Sequence, residues 1–255
     1  MINVGVQTRP WGPEANRSDR PRILGEIAAA GYDGFEIGAQ HLDIADPAQL
    51  QRQAAEQKLK IAGIHIGGEI YNPQSVEEAL DNLEKTIAFA AAVGATFVPF
   101  SGKMKPDKTA KELRYQAENL NRIGEICRKN DLTLCYHNHF WEIENDCAEL
   151  HHICDHTDPA LVSLCLDVGW VQRAGSVPHV VAETFFERIG YFHLKDTTAD
   201  EWREVGYGTV DFAELVELIR RKADWWLVIE QDETRRQPTE SAQMSRTYLK
   251  EQFRI

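Results

Sequence analysis

The stretch "LTLCYHNHFWE", residues 132–142, begins as an apolar β-rich run and turns abruptly polar. His137, Asn138, His139, Trp141 and Glu142 crowd its last six positions. Seven more runs of the same kind occur along the chain: "INVGVQT" (2–8), "GYDGFEIG" (31–38), "LKIAGIHIG" (59–67), "ATFVPFSG" (95–102), "LVSLCLDVGW" (161–170), "IGYFHLKD" (189–196) and "WWLVIEQD" (225–232). Such short runs, bounded by Gly, Pro, Asn or Asp, read as strands.

Helical segments lie between them. Asp46-Pro47 supplies an N-cap and a first-turn proline. Residues 75–94 space their apolar positions three and four apart and stop at Gly94. Asp211 and Glu214 form a capping-box pattern ahead of "LVELIRRK". Strict alternation of strand and helix demands a parallel sheet with crossover helices. Eight such units in 255 residues predict a closed (β/α)8 TIM barrel, α/β in class, with residues 1–255 forming one domain. An open doubly wound sheet would carry a glycine-rich phosphate loop after its first strand, and "TRPWGPEANRS" is not one.

The bulk numbers narrow the function. A net charge of −12 disfavours nucleic acid as a partner. No run of about 18 apolar residues suggests a membrane span, and Met1 to Arg9 has no signal-peptide pattern. The five cysteines are odd in number and form no C-x-x-C pair, as expected of reduced thiols filling the core of a cytoplasmic protein. The chain is compatible with a homo-oligomer.

Active sites of such barrels sit at the C-terminal ends of the strands. There the chain places Glu36, His65, His137, His139, Glu142, Asp167, His193, Lys195, Glu230 and Asp232. Glu142, Asp167, His193 and Glu230 are 25, 26 and 37 residues apart, about one βα unit each, so they are expected to meet at one rim. Three carboxylates and an imidazole suit Mn2+, Co2+, Mg2+ or Zn2+. Strand alternation puts Lys195 on the face of His193, and Asp196 on the other. Trp11 and Trp141 are expected to line a sugar pocket, with Glu36 and His65 touching substrate. His151 and His152 read as surface residues, and "GYGTVDF" (206–212) as a loop leading to a capped helix.

The ordered series "YHNHFWE", "CLDVGW", "HLKD", "GYGTVDF" and "VIEQD" resembles the sugar phosphate isomerase/epimerase family of xylose isomerase-like TIM barrels. Relatives include ketose 3-epimerases, inosose dehydratases and isomerases, and hydroxypyruvate isomerase. The resemblance implies one divalent ion, often Mn2+, held by Glu142, Asp167, His193 and Glu230, and a small carbohydrate substrate. It also implies that the two glutamates exchange the substrate proton. Metal ligation lowers carboxylate basicity, so His137, His139 and Lys195 are further candidates for acid–base work. Trp170 stands where the ketose 3-epimerases carry a second histidine, and "HLKDTT" lacks their arginine. The H-N-H-x-x-E form resembles the inosose and keto-glycoside branch. The expected activity is isomerisation or epimerisation of a keto-sugar, keto-inositol or keto-glycoside. A lyase is the alternative, and a non-catalytic sugar-binding protein a remote one. A metal-dependent AP endonuclease, from the same superfamily, would need a basic rim.

Overall fold

The computed structural model describes residues 2–73, 76–222 and 225–255. Ser75, where the second long helix was expected to begin, lies outside them, as does Met1.

In chain order the elements are β1 (Asn3–Gln7), α1 (Gly12–Ser18), α2 (Arg20–Ala29), β2 (Gly34–Gly38), α3 (Pro47–Glu56), β3 (Lys60–Gly68), α4 (Val76–Ala92), β4 (Phe97–Gly102) and α5 (Ala110–Lys129). There follow β5 (Thr133–His137), α6 (Glu144–His156), β6 (Val162–Asp167), α7 (Val168–Arg173), α8 (Pro178–Thr184), β7 (Ile189–Leu194), β8 (Asp196–Thr197), β9 (Trp202–Arg203), α9 (Phe212–Ile219), β10 (Trp226–Ile229) and α10 (Pro238–Phe253). Strands β1 to β7 and β10 close into a parallel barrel in the order β1-β10-β7-β6-β5-β4-β3-β2. The protein is a (β/α)8 TIM barrel.

Several runs end before the strand reading has them, β5 at His137 and β10 at Ile229 among them. The run 161–170 ends as a strand at Asp167, because Val168–Arg173 is already helical, with Asp167 as its N-cap. The run 189–196 leaves the barrel at Leu194; Asp196 opens a two-stranded antiparallel ribbon, β8 and β9, over the barrel mouth. The caps fall largely as expected. Asp46 accepts from the Gln49 N–H, and Asp211 from those of Ala213 and Glu214. A reciprocal capping box forms at α5, between Thr109 and Glu112.

Two apolar compartments hold the barrel. The larger lies between strands and helices and includes Ile23, Leu24, Ile27, Leu134, Leu164 and Phe192. The smaller fills the barrel itself: Ala62, Cys135, Cys165, Tyr191, Trp226 and Val228, with Phe97 stacked on Tyr191 at 4.6 Å. Cys135, Cys165, Tyr191 and Val228 each stand two residues before a polar strand-end residue: His137, Asp167, His193 and Glu230. Period-two alternation therefore turns all four polar groups toward the barrel axis, one layer above this plug.

Candidate metal centre and active site

His137, Asp167, His193 and Glu230 converge at the C-terminal rim. One ligand atom from each lies within 4.8 Å of the others, and all four residues are buried. His137 Nε2 is 3.3 Å from Asp167 Oδ2 and 3.4 Å from Glu230 Oε2, and His193 Nδ1 is 2.9 Å from Glu230 Oε2. The Asn138 side chain ties the end of β6 to β5 by bonding both the N–H and the carbonyl of Asp167. Asp167 Oδ1 is spent on the Trp170 N–H at the start of α7. Its other oxygen, Oδ2, is buried and faces the Lys195 ammonium at 2.9 Å, and His137 Nε2 is buried beside it with no hydrogen bond of good geometry. Ligand atoms from four buried side chains thus converge on one point, a donor set that fits a divalent cation. Two imidazoles and two carboxylates suit Mn2+, Co2+ or Zn2+.

Glu142 lies outside this group. It was expected to supply the first carboxylate, but β5 stops at His137, and the turn that follows does not keep strand alternation. Its carboxylate instead accepts from the Tyr136 hydroxyl and the His139 N–H, each at 2.7 Å. Tyr136 points outward from β5 toward α5, where Gln116 donates to its hydroxyl. Burial pushes the Glu142 carboxyl up to about 7, and the nearby Glu149 charge adds to this; the two hydrogen bonds pull the other way. Just beyond, Asn145, Asp146 and Cys147 all have left-handed backbone, so regular α6 starts only after them.

Lys195 continues the inward face of β7. Its ammonium is fully enclosed, 2.9 Å from both Asp167 Oδ2 and Glu230 Oε2 and 2.8 Å from Asp232 Oδ2. The rings of Trp170 and Trp202 flank it at 5.2 and 5.0 Å. A side chain at Gly169 would meet the Lys195 stem at 2.7 Å, so the backbone can pass only as glycine. Burial lowers the lysine's proton affinity, but the three carboxylates outweigh this and keep it charged. Burial likewise pushes Glu230 up, yet Lys195 and His193 hold it well below the usual carboxylate range.

The other expected contacts divide. Glu36 and His65 reach the site from β2 and β3, bonded to each other at 2.9 Å, but Glu36 is fully buried. Trp11 is buried and donates to Glu26 Oε2 at 2.7 Å, away from the cavity. Trp141 lies flat on the His139 ring, centroids 4.4 Å apart, and backs the cavity wall rather than forming it. Burial, with the His137 and Lys195 charges, drives His139 down to about 2, so its ring is neutral. His151 is exposed on α6 and His152 half-buried. Asp196 does face away from the axis, and its partner is the 206–210 loop. The backbone N–H groups of Thr197, Gly206, Gly208 and Val210 all point at its carboxylate. The anion held by "GYGTVDF" is thus internal, and a Cβ at Gly208 would strike it at 2.2 Å.

Above the cluster opens a polar cavity of about 260 Å3, lined in part by Arg9, Gln40, His139, Trp170 and Lys195. It shares Arg9, Gln40 and Asp232 with a recess of about 300 Å3. Sequence reading assigned no substrate contact to Arg9, Gln40 or Trp170. The first two sit in single 3-10 turns after β1 and β2, too short to show periodicity, while Trp170 lies in the first turn of α7, three residues beyond Asp167. A larger cavity, about 730 Å3, lies beside Trp202 and is lined by none of the four cluster residues. Its arginines are matched by carboxylates such as Glu201, which pairs with Arg203 and Arg235. The smaller cavity carries the reactive groups.

Among the described residues no helix is long and apolar enough to cross a membrane. The model for the xylose isomerase-like TIM barrel family matches residues 24–252. An inosose dehydratase of Mesomycoplasma hyopneumoniae is 28% identical over 294 residues, spanning 98% of this chain and 95% of that protein. Among solved structures, a sugar phosphate isomerase/epimerase from Parabacteroides distasonis superposes with a TM-score of 0.84 at 17% identity, covering 98% of each chain. The 3-keto-D-glucoside 4-epimerase YcjR from E. coli superposes with a TM-score of 0.79 at 15% identity, covering 98% of this chain and 99% of its own. By its sequence and by the architecture of its barrel, this chain belongs to the xylose isomerase-like TIM barrel family.

Proposed function

We propose that this protein is a divalent-metal-dependent isomerase or epimerase, with Mn2+ the favoured ion. It shifts a proton at the carbon beside the ketone of a sugar, inositol or glycoside. The observation that carries the reading is the convergence of ligand atoms from His137, Asp167, His193 and Glu230 at the foot of a polar cavity.

A C–H next to a carbonyl is a weak acid, so negative charge must be taken up at oxygen as the proton leaves. His137, Asp167, His193 and Glu230 would hold the ion, which when bound would supply Lewis-acid polarisation of that oxygen. Lys195 presents a fixed ammonium at the same floor, whose charge offsets the negative charge that grows on that oxygen. Glu230, ionised and lining the cavity, accepts the proton and returns it. His139 is a neutral, cavity-lining second acid–base group, its Nδ1 free of hydrogen bonds. Acid–base help of this kind is worth on the order of 10²–10⁴-fold. Glu142 does not line the cavity; we assign it to holding the turn 138–142. The five unpaired cysteines support a reducing, cytoplasmic setting.

A lyase is the second reading, favoured by the full-length similarity to proteins named inosose dehydratases. Removal of the same proton followed by loss of a β-hydroxyl gives dehydration. The test is a screen of keto-sugars and keto-inositols in D2O with Mn2+, followed by NMR and mass spectrometry. Solvent deuterium in a product of unchanged skeleton supports isomerisation or epimerisation. Loss of water identifies the lyase, and no exchange with any keto substrate refutes both.

A further inference from the structure

Each candidate histidine ligand uses one ring nitrogen toward the carboxylates and the other toward the barrel. His193 Nδ1 faces Glu230, while its Nε2 is 2.9 Å from Glu36 Oε2. His137 Nε2 faces Asp167 and Glu230, while its Nδ1 is 3.3 Å from Ser101 Oγ. Ser101 Oγ lies 2.8 Å from His65 Nε2, and His65 Nδ1 lies 2.9 Å from Glu36 Oε1. Both lines end on the two oxygens of one fully buried carboxylate, which the Tyr191 hydroxyl also bonds at 2.8 Å.

We propose that Glu36 is the positioning residue that sets the tautomer of both imidazole ligands, directly for His193 and through His65 and Ser101 for His137. The inference rests on the metal reading above and deepens it.

The donor and acceptor inventory allows an arrangement that turns both imidazole lone pairs toward the ion, with Glu36 accepting only. His193 gives its Nε2–H to Glu36, which leaves the Nδ1 lone pair toward the site. His65 gives its Nδ1–H to Glu36, so its Nε2 accepts the Ser101 hydroxyl proton. Ser101 Oγ then accepts from His137 Nδ1–H, and the His137 Nε2 lone pair faces the site too. Reversing the His193–Glu36 or the Ser101–His137 link would turn an N–H toward the ion and remove a ligand. Glu36, His65 and His193 are also close enough to form a second cation trio. Their 2.9 Å contacts, however, are hydrogen-bond lengths, and each ring nitrogen involved is already committed.

The test uses the whole protein with Co2+, read by calorimetry and by the visible absorption of the bound ion, with circular dichroism to follow folding. Glu36→Gln keeps the shape but replaces one acceptor by a donor, so one imidazole must present its N–H to the site. Ser101→Ala cuts only the His137 line. We expect one Co2+ per chain in the wild type, 10–100-fold weaker binding in Glu36→Gln, and an altered absorption spectrum. Ser101→Ala is expected to weaken binding by less, and the double variant by less than the product of the two. If Glu36→Gln fails to fold, Ser101→Ala alone decides. Wild-type affinity and spectrum in the folded variants overturn the proposal while leaving the metal reading intact, and so do two ions per chain. A wild type that binds no Co2+ overturns both.

Discussion

Lys195 Nζ lies 2.9 Å from Glu230 Oε2, with both side chains closed off from solvent. The same ammonium reaches Asp167 and Asp232, so one positive charge is the hub of three carboxylates. Removing one partner of a buried ion pair typically costs 3–5 kcal/mol, because the remaining charges are left uncompensated. Lys195→Met is therefore expected to destabilise the chelator-treated protein by about 3 kcal/mol or more. A divalent ion should restore part of that loss, so Mn2+ should raise the melting temperature more in this variant than in the wild type. Thermal unfolding with and without Mn2+ checks it.

The Asp196 carboxylate ties four backbone N–H groups to the end of β7. Each donor left unsatisfied costs about 1–3 kcal/mol where water cannot reach it. Asp196→Ala should destabilise the fold by on the order of 3 kcal/mol in denaturant unfolding and speed proteolysis within residues 204–210. Unchanged cleavage there would show that the loop is held by other contacts.

Glu142 predicts a pH dependence. Its carboxyl rises from an ordinary value near 4.5 to about 7 in the fold, chiefly through burial. Between those values the native state holds a proton that the unfolded chain has released. Its contribution is therefore fully present below about 4.5 and is lost as pH rises through 7. Wild-type stability should fall across this window by on the order of 1–3 kcal/mol. Glu142→Gln, which has no proton to lose, should show a flatter profile. Parallel profiles from pH 5 to 8 would contradict this.

The positions of Asp167, His193 and Glu230 were legible because two simple periods coincide. The βα repeat brings the strand ends to one rim, and strand alternation puts each residue two places beyond Cys165, Tyr191 and Val228 on the inner face. The same count from Cys135 selects His137, not Glu142. Four residues of turn separate Glu142 from the end of β5, and spacing between motifs says nothing about which way a turn runs. The ribbon β8–β9 escaped notice because its strands have two residues each and no periodicity. Trp11 read as a pocket wall because an aromatic after β1 suits the rim. Its indole N–H found Glu26 instead, a contact between two separate helical segments that no local pattern announces.

The most direct test is a crystal of the protein soaked in Mn2+ and measured for anomalous scattering. The account predicts one strong peak, coordinated by His137 Nε2, Asp167 Oδ2, His193 Nδ1 and Glu230, with Glu142 still bonded to Tyr136. A peak bound by Glu142, or no peak between these four side chains, would contradict it.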